Sequence, residues 1–130
     1  LDNENYTRNN LVKIYISRLK PINNLIRLPL NNEESVYNSW HLFVILTDNR
    51  EELQNYLLDN NISTLFHYPI PPHKQRCFRD SKISKMNLPI SEEIHSKCIS
   101  LPISGKHTTK EINYVCDKML KFFENKTSRT

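Results

Sequence analysis

At 130 residues, 38% hydrophobic and 25% charged, the chain is the length of one domain and has enough apolar content to bury a core. Its net charge of +4 comes from scattered cations, with no block of like charge and no basic stripe interleaved with aromatics, which argues against a nucleic-acid partner. No apolar run is long enough to cross a bilayer, and the polar, acidic start Leu1-Asp2-Asn3-Glu4-Asn5 is not a signal peptide, so a cytoplasmic protein with no membrane partner is expected.

Residues 3–20 read as a helix, with Leu11, Ile14, Tyr15 and Leu19 at helical spacing and Pro21 ending the run. Ile26 to Leu30 is a short expected strand and Asn31 to Ser39 a polar loop. The run Trp40 to Thr47 is rich in β-formers and nearly continuous in apolarity, which predicts a central strand. Asn49 followed by Glu52 resembles a capping box opening a helix that buries Leu53, Tyr56 and Leu57. Asn60-Asn61 closes that helix where glycine is usual, and residues 62–68 form the next expected strand.

A turn or two of helix is expected over 74–80, an irregular polar stretch over 81–88, and a short helix from Ser91 with Ile94 and Cys98 on one face. Ile99 to Ile103 is extended. Thr108-Thr109-Lys110-Glu111 is a capping box, opening a helix that buries Ile112, Val115, Cys116, Met119 and Phe123; residues 126–130 should fray. The order of elements predicts one α+β domain, a small sheet covered by helices, over residues 1–130.

Cysteine usage fits reduced thiols: Cys77, Cys98 and Cys116 are odd in number, and the last two read as buried small hydrophobes at apolar helical positions. The single glycine excludes glycine-rich phosphate loops. The most informative segment is His67-Tyr68-Pro69-Ile70-Pro71-Pro72-His73. Three prolines in four positions end a strand and stiffen a loop, and two imidazoles and a phenol bracket it, either as the wall of a site or as solvent-facing groups at a strand exit.

Taken together, Trp40-His41-Leu42-Phe43-Val44-Ile45, Asn49-Arg50-Glu51-Glu52-Leu53, the segment from His67 to Gln75, Ile99-Ser100-Leu101-Pro102, and Thr108 with Glu111-Ile112 resemble the C-terminal region of the DegT-type (DegT/DnrJ/StrS) nucleotide-sugar aminotransferases. The resemblance covers nearly the whole chain. It implies the small C-terminal domain of the aspartate-aminotransferase fold (the type I fold of pyridoxal 5'-phosphate enzymes), about the last third of such an enzyme. By the same resemblance the absent large domain supplies the Schiff-base lysine, the acidic partner of the pyridine nitrogen and most phosphate contacts. No catalytic residue is therefore assigned to this chain, which alone should neither bind cofactor covalently nor turn over. The parent is expected to be a homodimer.

The resemblance places His73, then His67 and Tyr68, as sugar-facing or supporting groups. His41 is a further substrate-binding candidate, although its place in a buried-looking strand suits a satisfied core histidine. The Pro-Ile-Pro-Pro-His form is similar to the subgroup that aminates dTDP-linked 3-keto-6-deoxyhexoses with glutamate as donor. Trp40, Lys74 and Cys77-Phe78 depart from the usual tyrosine, leucine and alanine-tyrosine, and Lys74 calls the packing under the loop into question. Two alternatives of other classes are a zinc site, built from His73 and Cys77 with His67 or from His95 and Cys98, and a free-standing protein-interaction module.

Overall fold

The computed structural model describes residues 2–29 and 38–128. Helix α1 (Asp2–Leu19) buries Leu11, Val12, Tyr15 and Leu19, and Pro21 turns the chain out through a short 3-10 turn. Strand β1 (Phe43–Leu46) leads into α2 (Arg50–Asp59). After the proline loop and three 3-10 turns come α3 (Pro89–Lys97), β2 (Cys98–Leu101) and α4 (Thr109–Thr127).

The strands pair antiparallel, with Phe43 opposite Leu101 and Ile45 opposite Ile99. Single bridges extend the pair on both sides: Arg27 joins Leu46, and Leu65 joins Ser100. The sheet is therefore narrower than the sequence suggests. Of the expected strand 26–30 only Arg27 pairs, and Leu30, like positions 31–37 of the expected polar loop, lies outside the described residues. The strand expected over 62–68 pairs only at Leu65, and the carbonyls of Thr64 and Tyr68 accept instead from the side chains of Gln54 and His95.

Strand β1 also begins later than expected. Trp40 takes a left-handed backbone (φ 46°) and its N–H donates to Asn38 Oδ1 at 3.0 Å, while its indole N–H donates to Asn9 on α1 at 3.1 Å. This side-chain turn competes with the sheet ladder and wins until Phe43. His41 consequently stands exposed beside the turn rather than in a buried strand, which corrects the core-histidine expectation.

Local signals with local partners behave as expected. Thr108 Oγ1 accepts from the Glu111 N–H at 3.2 Å, and the Glu111 carboxylate accepts from the Thr108 N–H at 2.7 Å. Asn61 takes the left-handed conformation (φ 60°) after α2, and the Ile62 N–H closes back on Leu57 at 2.9 Å, as glycine-terminated helices do. The Asn49–Glu52 expectation fails. Asn49 makes no cap hydrogen bond; its Oδ1 accepts from Lys126 Nζ, which also pairs with Glu52 at 2.7 Å. Lys126 and Thr127 accordingly extend α4 rather than fray.

The core lies between the sheet and the layer formed by α1, α2 and α4. Tyr15 stacks on Phe43 with ring centroids 4.6 Å apart, and its hydroxyl donates to Pro102 O at 2.8 Å. Burial pushes that phenol's pKa upward. Cys116 is buried on α4, and its thiol is pushed up to about 12 by the same cause. Cys98, also buried, opens β2 instead of lying on a helix. Strand β2 is covered on both faces: Ile99 and Leu101 join the helical core, while Cys98 and Ser100 alternate to the other face and meet the proline loop.

Candidate functional site

The loop that follows Leu65 is fixed from several elements. Its entry is set by the Ser100 N–H donating to Leu65 O at 2.8 Å and by Gln54 on α2 donating to Thr64 O at 3.1 Å. His67 Nδ1 shares a hydrogen bond of 2.8 Å with Ser100 Oγ, and the rings of His67 and Tyr68 meet edge to face. The His67–Tyr68 peptide is cis. His95 Nδ1–H donates to Tyr68 O at 2.5 Å, which assigns the proton on that ring, and the Cys98 thiol reaches the same carbonyl at 3.7 Å.

The far end of the loop is latched by a buried imidazole. His73 is only 3% exposed, and its Nε2–H donates to Glu92 Oε1 at 3.0 Å. Glu92 sits in the first turn of α3 and also accepts from the Leu88 N–H at 3.4 Å, with Lys74 Nζ 3.7 Å away. Three donors therefore converge on one carboxylate. Lys74, suspect as a replacement for an apolar residue, lies at the surface and serves this latch, so it does not disturb the packing beneath.

The hydrogen bond from His73, followed by that from Leu88 and the charge of Lys74, holds the Glu92 pKa below the ordinary carboxylate value. A depressed carboxylate contributes stability above its unfolded pKa and loses it as pH falls through the folded one. Amide-exchange protection of Lys74 and Gln75 should hold above the ordinary glutamate range and fall as pH drops below it. Glu92→Gln should remove that acid step, and a step that survives the substitution would assign the latch to another group.

Three of the four candidates thus belong to this loop, in different roles. Tyr68 is 64% exposed, His67 is half-buried, and His73 lies beneath. His67 and Ser100 line a hollow of about 250 Å³ with Thr64, Leu65 and Pro102. That is smaller than an ordinary ligand pocket, so the hollow reads as one wall and not as a complete site. His41 is not among its lining residues. A larger groove of about 870 Å³ runs between Ile62 and the first turns of α4, past His107 and Lys110.

The alternative zinc sets are not gathered. Among the described residues no group of three or more His, Cys, Asp or Glu could hold a metal ion. His67 turns to Ser100, His73 to Glu92, and Cys77 stands exposed. Lys74, the lysine of this loop, pairs with Glu92. Lys97, at the end of α3 and away from the loop, pairs with Asp48 at 3.0 Å and Glu93 at 3.2 Å, contacts that raise its pKa. Imidazole, phenol and hydroxyl groups instead suit a polyhydroxylated ligand. Sequence reasoning missed Ser100, Glu92 and His95 as partners of the loop, because each lies far along the chain.

Several large apolar side chains on the loop and in the segment that follows it stay exposed, among charged residues such as Arg76, Arg79 and Lys82: Leu65 is 63% exposed, Ile70 52% and Ile90 74%, and Phe78, Ile83, Met86 and Ile94 add to them. Large apolar side chains left exposed in this number suit a surface on which another part of a protein packs.

A profile of the DegT/DnrJ/EryC1/StrS aminotransferase family matches residues 1–120. The dTDP-3-amino-3,6-dideoxy-alpha-D-galactopyranose transaminase of Aneurinibacillus thermoaerophilus is 39% identical over 122 residues, covering 94% of this chain and 32% of that enzyme. The dTDP-3-amino-3,4,6-trideoxy-alpha-D-glucose transaminase of Streptomyces venezuelae is 35% identical over 107 residues, 82% of this chain and 27% of that enzyme. Among solved structures, S. venezuelae DesV in complex with a ketimine intermediate superimposes with a TM-score of 0.86 at 30% identity, covering 93% of this chain and 32% of that one. Bacillus subtilis NtdA with bound cofactor PMP gives a TM-score of 0.79 at 29% identity, covering 91% and 28%. The chain spans about a third or less of the length of these relatives.

Proposed function

Because this chain belongs to the DegT/DnrJ/EryC1/StrS aminotransferase family, we propose that residues 1–130 form the small C-terminal domain of a pyridoxal-phosphate-dependent enzyme that aminates a nucleotide-linked keto-sugar. The observation that carries the reading is the His67–Tyr68 loop: a hydrogen-bonding wall held rigid from β2, α2 and α3, too shallow to be a site alone, in a chain that aligns with only part of each relative. The exposed apolar residues around it support the same reading, since a larger partner domain of the same enzyme would cover them. The parent would act in the cytoplasm as a homodimer.

In this reading the cofactor's electron sink, the lysine and the phosphate contacts come from the rest of the enzyme. This domain positions the sugar. His67 and Tyr68 present hydrogen-bonding groups to its hydroxyl or keto oxygens, His73 holds the loop from beneath, and the prolines keep the wall from collapsing when water leaves. A dTDP-linked 3-keto-6-deoxyhexose with glutamate as donor is the specific pair we assign, from the names of the relatives and the Pro-Ile-Pro-Pro-His form of the loop.

The test compares the longer enzyme that carries this domain with the 130-residue chain. The longer enzyme should convert the keto-sugar in the presence of glutamate, and the chain alone should show neither turnover nor the absorbance band of a lysine-bound cofactor. Such a band in the isolated chain, or a longer enzyme inert toward every nucleotide-linked keto-sugar offered, would reject the reading.

A further inference from the structure

We propose that Arg50 is the positioning residue of the His67–Tyr68 wall, the group that fixes where those two side chains meet a sugar; this rests on the function proposed above. Arg50 opens α2, yet only 12% of its side chain is exposed. Its guanidinium lies over the Phe66 ring, 4.5 Å from the centroid, and its Nη1 donates to His95 O at 2.5 Å. Phe66 immediately precedes His67. His95 in turn donates from its ring to Tyr68 O. One side chain thus grips the loop from both directions, through the residue before the His67–Tyr68 pair and through the histidine that holds its second carbonyl.

The alternatives for this arginine are weaker. Its pairing with Glu51 at 2.8 Å involves a carboxylate that is 65% exposed, and an adjacent surface pair of that kind contributes little. A cation at the first position of a helix also faces the positive end of the macrodipole, so local helix chemistry does not favour it. What it gains is elsewhere. His95 O belongs to the last turn of α3, where carbonyls lack partners within the helix, and a planar guanidinium can satisfy that carbonyl while stacking on Phe66, which a lysine cannot do. Gln54, one turn on along the same face of α2, holds Thr64 O, so α2 grips the segment at two points.

The experiment has two readouts. In the 130-residue chain, Arg50→Gln and Arg50→Lys should speed exchange of the Ser100 amide, which donates to Leu65 O at the loop entry, by about tenfold while the α4 amides keep their wild-type rates. Phe66→Leu, which removes the stacking face and keeps the charge, should do the same and serves if Arg50→Gln does not fold. In the longer enzyme these variants should lower kcat/KM for the keto-sugar by about tenfold or more, with the glutamate half-reaction within about twofold of wild type. Unchanged exchange at Ser100 in both Arg50 variants overturns the proposal. So does an equal fall in both half-reactions, which would mark Arg50 as a general stabiliser. Failure of the underlying function is distinguishable, because the wild-type enzyme itself would then not act on keto-sugars; a clamp without that reaction positions nothing for it and the proposal falls with its premise.

Discussion

Phe43→Ala should destabilise the domain by about 3–5 kcal/mol, a value readable from urea unfolding monitored by far-UV circular dichroism. Phe43 is fully buried at the start of β1. It stacks on Tyr15 of α1, meets Trp40 at 5.9 Å between ring centroids, and stands opposite Leu101 in the sheet register. Removing the ring opens a cavity walled by three elements that other bonds hold in place. Tyr15 is tied to Pro102 O, Trp40 to Asn9, and α1 to α4 through Arg18, whose guanidinium reaches Asn113 at 2.7 Å and Asp117 at 2.5 Å. Such walls relax little, so both the transfer loss and the cavity loss should appear. Domains of this size have about 5–15 kcal/mol in total, so the variant should sit near the edge of folding. A change below about 1.5 kcal/mol would mean the aromatic layer is not the packed centre that its geometry describes.

What could be read along the chain, and what could not, divides by the distance of the partner. The Thr108–Glu111 box, the left-handed Asn61 and the buried stripe of α4 are decided within a few residues, and the structure has them where the pattern places them. Trp40 had the composition of a strand residue, but Asn9 and Asn38 hold it in a turn, and the contact with Asn9 is a tertiary one. Asn49 had the chemistry of a helix cap, but Lys126 at the other end of the chain takes its oxygen.

The site divides in the same way. The sequence marks the proline loop and its imidazoles, because stiffness and titratable groups are local properties. It does not show that His73 turns inward to Glu92, that His67 rests on Ser100, or that Arg50 reaches both Phe66 and His95. One local sign was available for the last of these: an arginine at the first position of a helix opposes the macrodipole and so implies a partner outside the helix.

In the longer enzyme, His67→Ala should lower turnover of the keto-sugar by about 100-fold, the scale expected when a positioned group at a reacting ligand is lost. The cost in folding should be that of one hydrogen bond, about 1 kcal/mol, since His67 is half-buried and its partner is the Ser100 hydroxyl at 2.8 Å. Ser100→Ala breaks the same bond but leaves the imidazole in place. If Ser100 only aims His67, its removal should cost less than removal of the ring; equal losses would make the ring's orientation, and not its presence, the decisive quantity.

His73→Ala tests the wall from beneath. Being 3% exposed, His73 acts through the latch to Glu92, so its loss should lower turnover by about tenfold while loosening the loop as far as Gln75. Steady-state kinetics and urea unfolding on the same preparations separate these effects. Wild-type turnover in both histidine variants would remove the loop from the site altogether and leave its imidazoles as structural ties between β2, α3 and the chain that crosses them.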